Sequence, residues 1–285
     1  MLIAFVGSAF SPYYARSRRR HGSARADPLD HCAFNVVLYG PASRRWAMTE
    51  RGRAQVERDA TRLAIGPSEC RWSGDALRFE LAETCAPIPR RIRGTVTVRP
   101  HALLDDAFAL DGARTHRWTP IAPRARVEVA LREPELAWRG EGYLDSNDGD
   151  APLDEAFRSW HWSRATLPGG SAAVLYDTLR ADGSPHTLAL RFARGQRAEP
   201  LDAPPAATST AVGRWGVRRV VHGDRGSAPR ILRTLEDGPF YARSLLQARW
   251  AGEPVTAFHE SIDLRRLSSA WVRMLLPVRM PRRRD

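Results

Sequence analysis

The sequence predicts an all-β protein, and three observations carry that reading. Short runs in which apolar and polar residues alternate, the period of a strand with one face on a core, recur at near-regular spacing through the chain. Helix signals are few, and prolines at 87, 89, 100, 120 and 123 forbid long helices in that region. The alternation restarts after Trp160–Trp162, which points to two β-barrels joined near residues 163–170. A barrel of about eight strands is wide enough to hold one small ligand.

In chain order, the apolar opening MLIAFVGSAF reads as a strand cut short at its start. It is not read as a signal peptide, because nothing basic precedes it, and no segment reaches the length of about 18 apolar residues that spanning a membrane requires. Ser11–Tyr14 leads into a basic loop, Arg16–Arg25, expected to be exposed and mobile. Strands are expected at 32–39 and 44–50. Ala54–Leu63 has helical propensity, with a polar strand as the alternative. Leu77, Phe79 and Leu81 alternate as a half-buried strand, as do Val96 and Val98, and then Val127, Val129 and Leu131. Beyond Gly149 a short helix is expected over Leu153–Trp160. Ala172–Leu179 and Thr187–Ala193 flank Asp182-Gly183, a strong hairpin signal. Residues 198–210, rich in Pro, Ala and Thr, read as a connecting loop, followed by strands at 215–222, 229–236, 241–250 and 255–263. Leu264, Leu267, Trp271, Met274 and Leu275 recur at three- and four-residue steps and predict a helix ending before Pro277; a last strand and tail is the alternative.

At 285 residues the chain can bury a substantial core, and its 27% charged and 43% hydrophobic residues are ordinary for a globular protein. All 44 basic residues are arginine, and the net charge is +12. Arginine stays ionised at any working pH and suits phosphate groups. The arginines are spread in short pairs, and no helix-turn-helix, zinc-finger or RNA-binding signature accompanies them, so an anionic membrane surface ranks above nucleic acid as a partner. Cys32, Cys70 and Cys85 are odd in number and show no C-x-x-C spacing. Neither a disulfide framework nor a metal site is indicated, and a reducing, cytoplasmic location fits.

Chemistry concentrates in His116–Gly149, HRWTPIAPRARVEVALREPELAWRGEGYLDSNDG. His116 and Trp118 share one face of an extended segment, and so do Tyr143, Asp145 and Asn147. If both rows point inward, an imidazole, an indole, a phenol and a carboxyl meet in one cavity. The alternative is that Asp145–Gly149 is a turn, since Asp, Ser, Asn and Gly all favour turns. Trp160 and Trp162 flank a histidine. Core packing accounts for most of the nine tryptophans, and those facing a cavity would suit an apolar or cationic species. Asp30 and His31 form a second acid–imidazole pair for the same cavity, with a turn leading into a strand as the alternative. The sequence contains no G-x-S-x-G, G-x-x-x-x-G-K-[ST], H-E-x-x-H or G-x-G-x-x-G pattern, so any chemistry falls to side chains alone.

Eight separated blocks, GSAFSPYYA, DPLDHCAFNVVLYG, RRWAMTERG, IPRRIRGTVTVRP, HRWTPIAPRARVEV, GYLDSNDGDAPLDEAFRSWHWSRA, RTLEDGPFYARSLL and WVRMLLPVRMPR, together resemble the carotenoid 1,2-hydratases, also called hydroxyneurosporene synthases. The resemblance implies two lipocalin-like β-barrels in tandem, over residues 1–165 and 166–285. It also implies cofactor-free hydration of the terminal isoprene double bond of acyclic carotenoids such as neurosporene and lycopene. The family's functional residues carry over onto His116 and Trp118 in HRW and onto Tyr143 and Asp145 in GYLD. Family members begin with a further aromatic-rich segment, so this first barrel is expected either to lack an edge or to follow a misassigned start codon.

In that reading Asp145 donates the proton, Tyr143 orients it, Trp118 faces the developing cation and His116 holds the water. Trp160, Trp162, Asn147 and His31 are the candidates for binding substrate. A lipocalin-like carrier of an apolar isoprenoid is the alternative function, and an acid inside the cavity separates the two. Because carotenoids reside in bilayers, contact with an inner or photosynthetic membrane is expected through Trp271–Met280 and Arg282-Arg283-Arg284; a solvated tail after a core helix is the alternative.

Overall fold

The computed structural model describes residues 1–22, 26–41, 43–193, 195–209 and 213–283. Strands dominate, and four short helices accompany them among the described residues. The chain forms two compact units built from interleaved stretches: the first takes Met1–Pro100, Ala125–Tyr143 and Arg273–Asp285, the second His101–Arg124 and Leu144–Val272. The boundary expected at 165/166 falls inside a strand of the second unit. Residues 163–170 form no linker but run into the turn of a hairpin, where Leu167 N–H donates to Ser171 O (2.8 Å) and Gly170 adopts φ 81°.

In the first unit, β1 (Leu2–Val6), β2 (Cys32–Leu38), β3 (Arg45–Met48) and β4 (Glu50–Arg51) form one sheet with the terminal strand Arg282–Arg283, which runs parallel to β4. A second sheet runs through β5 (Val56–Arg58), β6 (Arg62–Ile65), β7 (Ser68–Ser73), β8 (Ala76–Thr84) and β9 (Arg91–Pro100). Burial follows the alternation that predicted it: Leu77, Phe79 and Leu81 point inward from β8 while Arg78 and Glu80 stay exposed, and Phe79 meets Phe34 edge to face.

Two long strands give chain to both units. After β10 (Phe108–Ala109), β11 (His116–Glu133) and β12 (Glu135–Gly149) form a hairpin whose far part, 125–143, belongs to the first unit and whose remainder belongs to the second. Asp145–Gly149 is therefore strand and not turn. The main sheet of the second unit contains β13 (Phe157–Thr166), β14 (Ala172–Arg180), β15 (Pro185–Phe192), β16 (Ala198–Pro200), and, after β17 (Ala206–Thr208) and β18 (Val220–His222), which pair with each other, β19 (Arg230–Asp237), β20 (Tyr241–Trp250) and β21 (Glu253–Asp263). Its order is β16-β15-β14-β13-β21-β20-β19. The sheets are open paths among the described residues, and the fold is all-β.

Several local expectations need correction. The basic loop begins as a helix, α1 (Pro12–His21): Ser11 Oγ accepts from Tyr14 N–H (2.9 Å), proline takes the first turn, and Arg18–His21 sit where the helix dipole favours cations. Ser23–Arg25 of that loop lie outside the described residues. Ala54–Leu63 is not a helix but a 3-10 turn, β5 and β6, with Asp59 Oδ1 accepting from Thr61 and Arg62 N–H at the bend. The helix expected over Leu153–Trp160 is a single turn, α2 (Leu153–Ala156), because β13 begins at Phe157 and pairs on both edges. The connecting loop of 198–210 contains β16 and β17. At the end, Asp263 caps α3 (Leu264–Ser268), and α4 (Ala270–Arg279) continues past Pro277, with Met280 N–H closing on Leu276 O at 2.8 Å.

Candidate functional site

The site follows from what the main sheet of the second unit does with alternate residues. Directly opposed residues of antiparallel strands share a face. Tyr176, Trp162, Glu260 and Arg243 therefore make one row across β14, β13, β21 and β20, and Thr178, Trp160, Ile262 and Tyr241 make the next. The opposite face carries Asp177, His161 and Ser261, then Leu175, Ser163, His259 and Ser244. One sheet thus separates an aromatic and ionic face from a face of histidines and serines.

On the aromatic face, Trp118 of β11 is 1% exposed and its indole N–H donates to Asp145 Oδ2 at 2.9 Å. Its ring lies 5.9 Å from Tyr176, 6.4 Å from Phe192 and 6.0 Å from Phe108. Tyr176 also packs against Trp160 (6.1 Å), which meets Phe157 edge to face. The Tyr176 hydroxyl donates to Asn147 Oδ1 (3.0 Å), so Asp145 and Asn147, two apart on β12, turn to the same aromatic group. Burial raises the pKa of Asp145; the Trp118 hydrogen bond and the charges of Arg243 and Arg164 oppose that without cancelling it. Part of Asp145's residue surface remains exposed, which fits an outer backbone edge with a carboxyl pointing inward. Arg243 in turn pairs with Glu260 and donates to Tyr241 Oη (2.9 Å), while Arg164 donates to Pro123 O (2.7 Å). Burial, with the charge of Asp145 behind it, pushes the Tyr176 phenol far up, so it stays a neutral donor.

His116 is placed differently from the water-holder expected of it. Its Nδ1 lies 2.6 Å from Asp111 Oδ2 and its Nε2 2.9 Å from Ala151 O, so both ring nitrogens face acceptors. Burial opposes ionisation of Asp111, but hydrogen bonds from Thr115 and His116 outweigh it and hold the carboxyl below its usual range. A side chain at Gly149 would meet the His116 ring at 2.5 Å, which explains a glycine there. His116 and Asp111 thus tie the start of β11 to the end of β12.

Tyr143 is half-buried and counts with the first unit. His31 is also in the first unit, with Nδ1 2.9 Å from both Glu50 Oε1 and Arg282 Nη1; Arg282 further holds Asp30 through its carbonyl (2.8 Å) and carboxylate (3.1 Å). This cluster clamps the terminal strand onto β4. Asp30 and His31 are thus engaged at the terminal strand, and Arg282 is turned toward them. Arg284 lies outside the described residues. A recess of about 530 Å³ bordered by Arg191, residues 199–205, Asp224 and Arg225 contains none of the aromatic group.

The chain matches the family description "Carotenoid hydratase CrtC" over residues 2–285. The chain belongs to that family. It is 49% identical over 281 residues to the acyclic carotenoid 1,2-hydratase of Thiocapsa roseopersicina, covering 99% of this chain and 68% of that protein. It is 46% identical to the protein of the same name from Rubrivivax gelatinosus (99% and 69%) and 38% identical to that from Cereibacter sphaeroides (99% and 98%). Among solved structures, kievitone hydratase from Nectria haematococca aligns with a TM-score of 0.49 at 11% identity, over 82% of this chain and 81% of that one.

Around Asp145 of this hydratase-family chain, sequence reasoning missed Tyr176, Arg164, Arg243 and Glu260. The signal was faint: Tyr176 lies in an apolar run, and the two arginines are lost among 44 basic residues. It also missed the histidine face. Val220 N–H points to His161 Nδ1 at 3.5 Å, so that nitrogen is an acceptor; Ser261 Oγ donates to it (2.9 Å) and accepts from His259 Nε2–H (3.0 Å), and Ser163 Oγ donates to His259 Nδ1 (2.8 Å). Burial lowers His161 from 6.5 to about 4, and it lowers His259 further below its usual range. The folded state then binds fewer protons than the unfolded chain below about pH 6.5. The stability these two groups contribute is present above that pH and is lost as pH falls toward about 4 for His161. Carbon NMR of the imidazole rings is expected to show His161 still neutral at pH 5; a ring that titrates near the ordinary histidine value would rule out this network.

Proposed function

We infer that the protein is an acyclic carotenoid 1,2-hydratase, adding water to the terminal double bond of a carotenoid such as lycopene or neurosporene. The observation that carries the chemistry is Asp145, a carboxyl whose pKa burial raises, hydrogen-bonded by Trp118 and walled by aromatic rings. Trisubstituted alkenes are hydrated through a proton first and water second. Trp118 donates to Oδ2, so the acid's proton belongs on Oδ1. Transfer of that proton to the less substituted carbon, C2, breaks the O–H bond, converts the π bond into a C–H bond and leaves a tertiary cation at C1. The faces of Trp118, Tyr176 and Trp160 are the surfaces that such a cation prefers, by about 2 kcal/mol or more per well-placed, desolvated ring. Water then attacks C1, and its surplus proton returns to the Asp145 carboxylate, which restores the acid. With both nitrogens of His116 engaged, that carboxylate takes the role of base as well, and His116 becomes a positioning residue.

The reading calls on no cofactor. Tyr143, on the strand face of Asp145 two positions earlier, is kept as the group that orients it. Trp162, in the row of Tyr176, and Asn147, which fixes the Tyr176 hydroxyl, are assigned to the walls of the substrate site. The scaffold is read as two lipocalin-like barrels, on the support of two β-rich units, each with its own core. A carrier would have no use for a buried acid among these rings.

Incubation of the purified protein with lycopene in water enriched in heavy oxygen tests the reading. The expected product has gained one water and carries the label in a tertiary alcohol. Lycopene that is bound and recovered without mass gain would favour the carrier and sink the hydratase.

A further inference from the structure

Helix α4 has more apolar surface than its packing uses. Val272, Leu276 and Met280, at four-residue steps, are buried, as a helix resting on a core requires. On the other side Trp271, Met274, Leu275 and Val278 are exposed, Met274 at 72% and Val278 at 56%. Their spacing of three, one and three makes them one stripe, so the helix is apolar on both faces. Trp215, itself exposed, stacks on Trp271 with ring centroids 6.0 Å apart and planes 17° from parallel. It is held there by Arg266, whose guanidinium donates to the Trp215 carbonyl and to the carbonyl of Pro239 (3.4 Å). Five large apolar side chains in contiguous exposed positions are not a scatter of single surface residues, which need no explanation.

The segments that carry the stripe are basic, although Asp237 accepts from Arg214 N–H (2.6 Å), Asp263 pairs with Arg266 (3.5 Å) and Asp154 accepts from Ser268 Oγ (2.8 Å). From Leu264 to Arg283 the chain has six arginines and no acidic residue, and Gly213–His222 likewise has arginines and no acid. Arg214, Arg265 and Arg279 of these segments are exposed, Arg279 with its guanidinium 4.3 Å from the centre of the Trp46 ring. Apolar residues with tryptophan on one surface and cations at its margin are the composition of a helix that lies in a bilayer interface, its apolar face among acyl chains and its arginines at headgroup phosphates.

We propose that the exposed stripe of α4, with Trp215, docks on an anionic lipid bilayer. The occupant follows from charge complementarity, since a cationic rim opposes a second copy of the same surface and suits phosphate. The helix of 10 residues lies on the bilayer and is too short to span it. The proposal rests on the hydratase reading only for its purpose: a carotenoid dissolved in the bilayer would be met where it resides.

The test uses the full chain and no carotenoid, so its outcome is independent of whether the protein hydrates one. Flotation with vesicles of phosphatidylcholine alone is compared with vesicles containing phosphatidylglycerol. Wild-type protein is expected to float with the anionic vesicles, and the double variant Met274→Glu, Val278→Glu to lose at least about tenfold in partitioning. Both substituted positions are exposed, so the thermal midpoint should be unchanged, and Arg265→Gln should weaken binding without touching the stripe. Equal flotation on both vesicle types overturns the proposal, as does a double variant that floats like wild type. A dimer in light scattering that the double variant abolishes would also overturn it, by making a second copy the occupant.

Discussion

Asp145→Asn is expected to give a folded protein that still binds lycopene, seen as a shift in the carotenoid absorption bands, yet forms 1-hydroxy product about a hundredfold to ten-thousandfold more slowly. The upper end of that range is expected, because an alkene offers no lone pair for a weaker acid to engage. Asparagine preserves the shape and can still accept from Trp118 Nε1 through its carbonyl; what it lacks is the transferable proton on the other atom. Because the acid works protonated and burial raises its pKa, wild-type activity should hold on the acid side of that raised value and fall as pH rises through it. An unperturbed aspartate would already have lost its proton above about pH 4. Trp118→Phe keeps a ring but removes the donor on Oδ2, so a slowed enzyme is expected, with its alkaline limb moved to higher pH. An Asp145→Asn protein with wild-type turnover would sink the assignment of the acid.

The extent to which this was legible in the sequence depends on whether the signal was local. Strands such as β8 announce themselves because Leu77, Phe79 and Leu81 alternate with charged residues, and the hairpin at Asp182-Gly183 because few other dipeptides suit its turn. Asp145 and Trp118 were visible as residues of unexpected polarity on strand faces. Their meeting needed β11 and β12 to pair, and the engagement of both His116 nitrogens could not be seen, because one partner is a backbone carbonyl with no sequence signature. Tyr176 was hidden for the opposite reason: within AAVLYD it looks like core, and its place beside Trp118 follows only from how the sheet faces the hairpin. The α1 segment misled because arginine clusters suggest solvation, while Ser11 and Pro12 held the cap that decides it. The interleaving of the two units left no compositional trace, since the chain passes between them within continuous strands and within α4.

Asp111→Asn should have the second-largest effect, on stability and turnover together. Asp111 Oδ2 receives both Thr115 Oγ1–H (2.6 Å) and His116 Nδ1–H (2.6 Å), and Oδ1 receives Thr115 N–H (2.9 Å). His116 is 2% exposed and Asp111 8%, so removing the carboxylate takes its partner from an imidazole buried away from water. Breaking a buried pair from one side costs about 3–5 kcal/mol. The carbonyl of Ala151 can still accept from Nε2, but an amide has one oxygen where the carboxylate had two, so it must turn its NH2 either toward Nδ1 or toward Thr115 N–H. Either response frees the ends of β11 and β12, the strands that present Trp118 and Asp145 to each other across a single 2.9 Å hydrogen bond. Turnover should therefore fall while KM for the carotenoid stays near its wild-type value, because the acid is misaligned and the aromatic walls remain. Thr115→Ala separates this from simple unfolding: it removes one hydroxyl hydrogen bond from Asp111 and leaves the ion pair, at about 1 kcal/mol, with most activity retained. An Asp111→Asn protein that melts and turns over like wild type would remove His116 from any positioning role and reopen the question of what holds Asp145 in line.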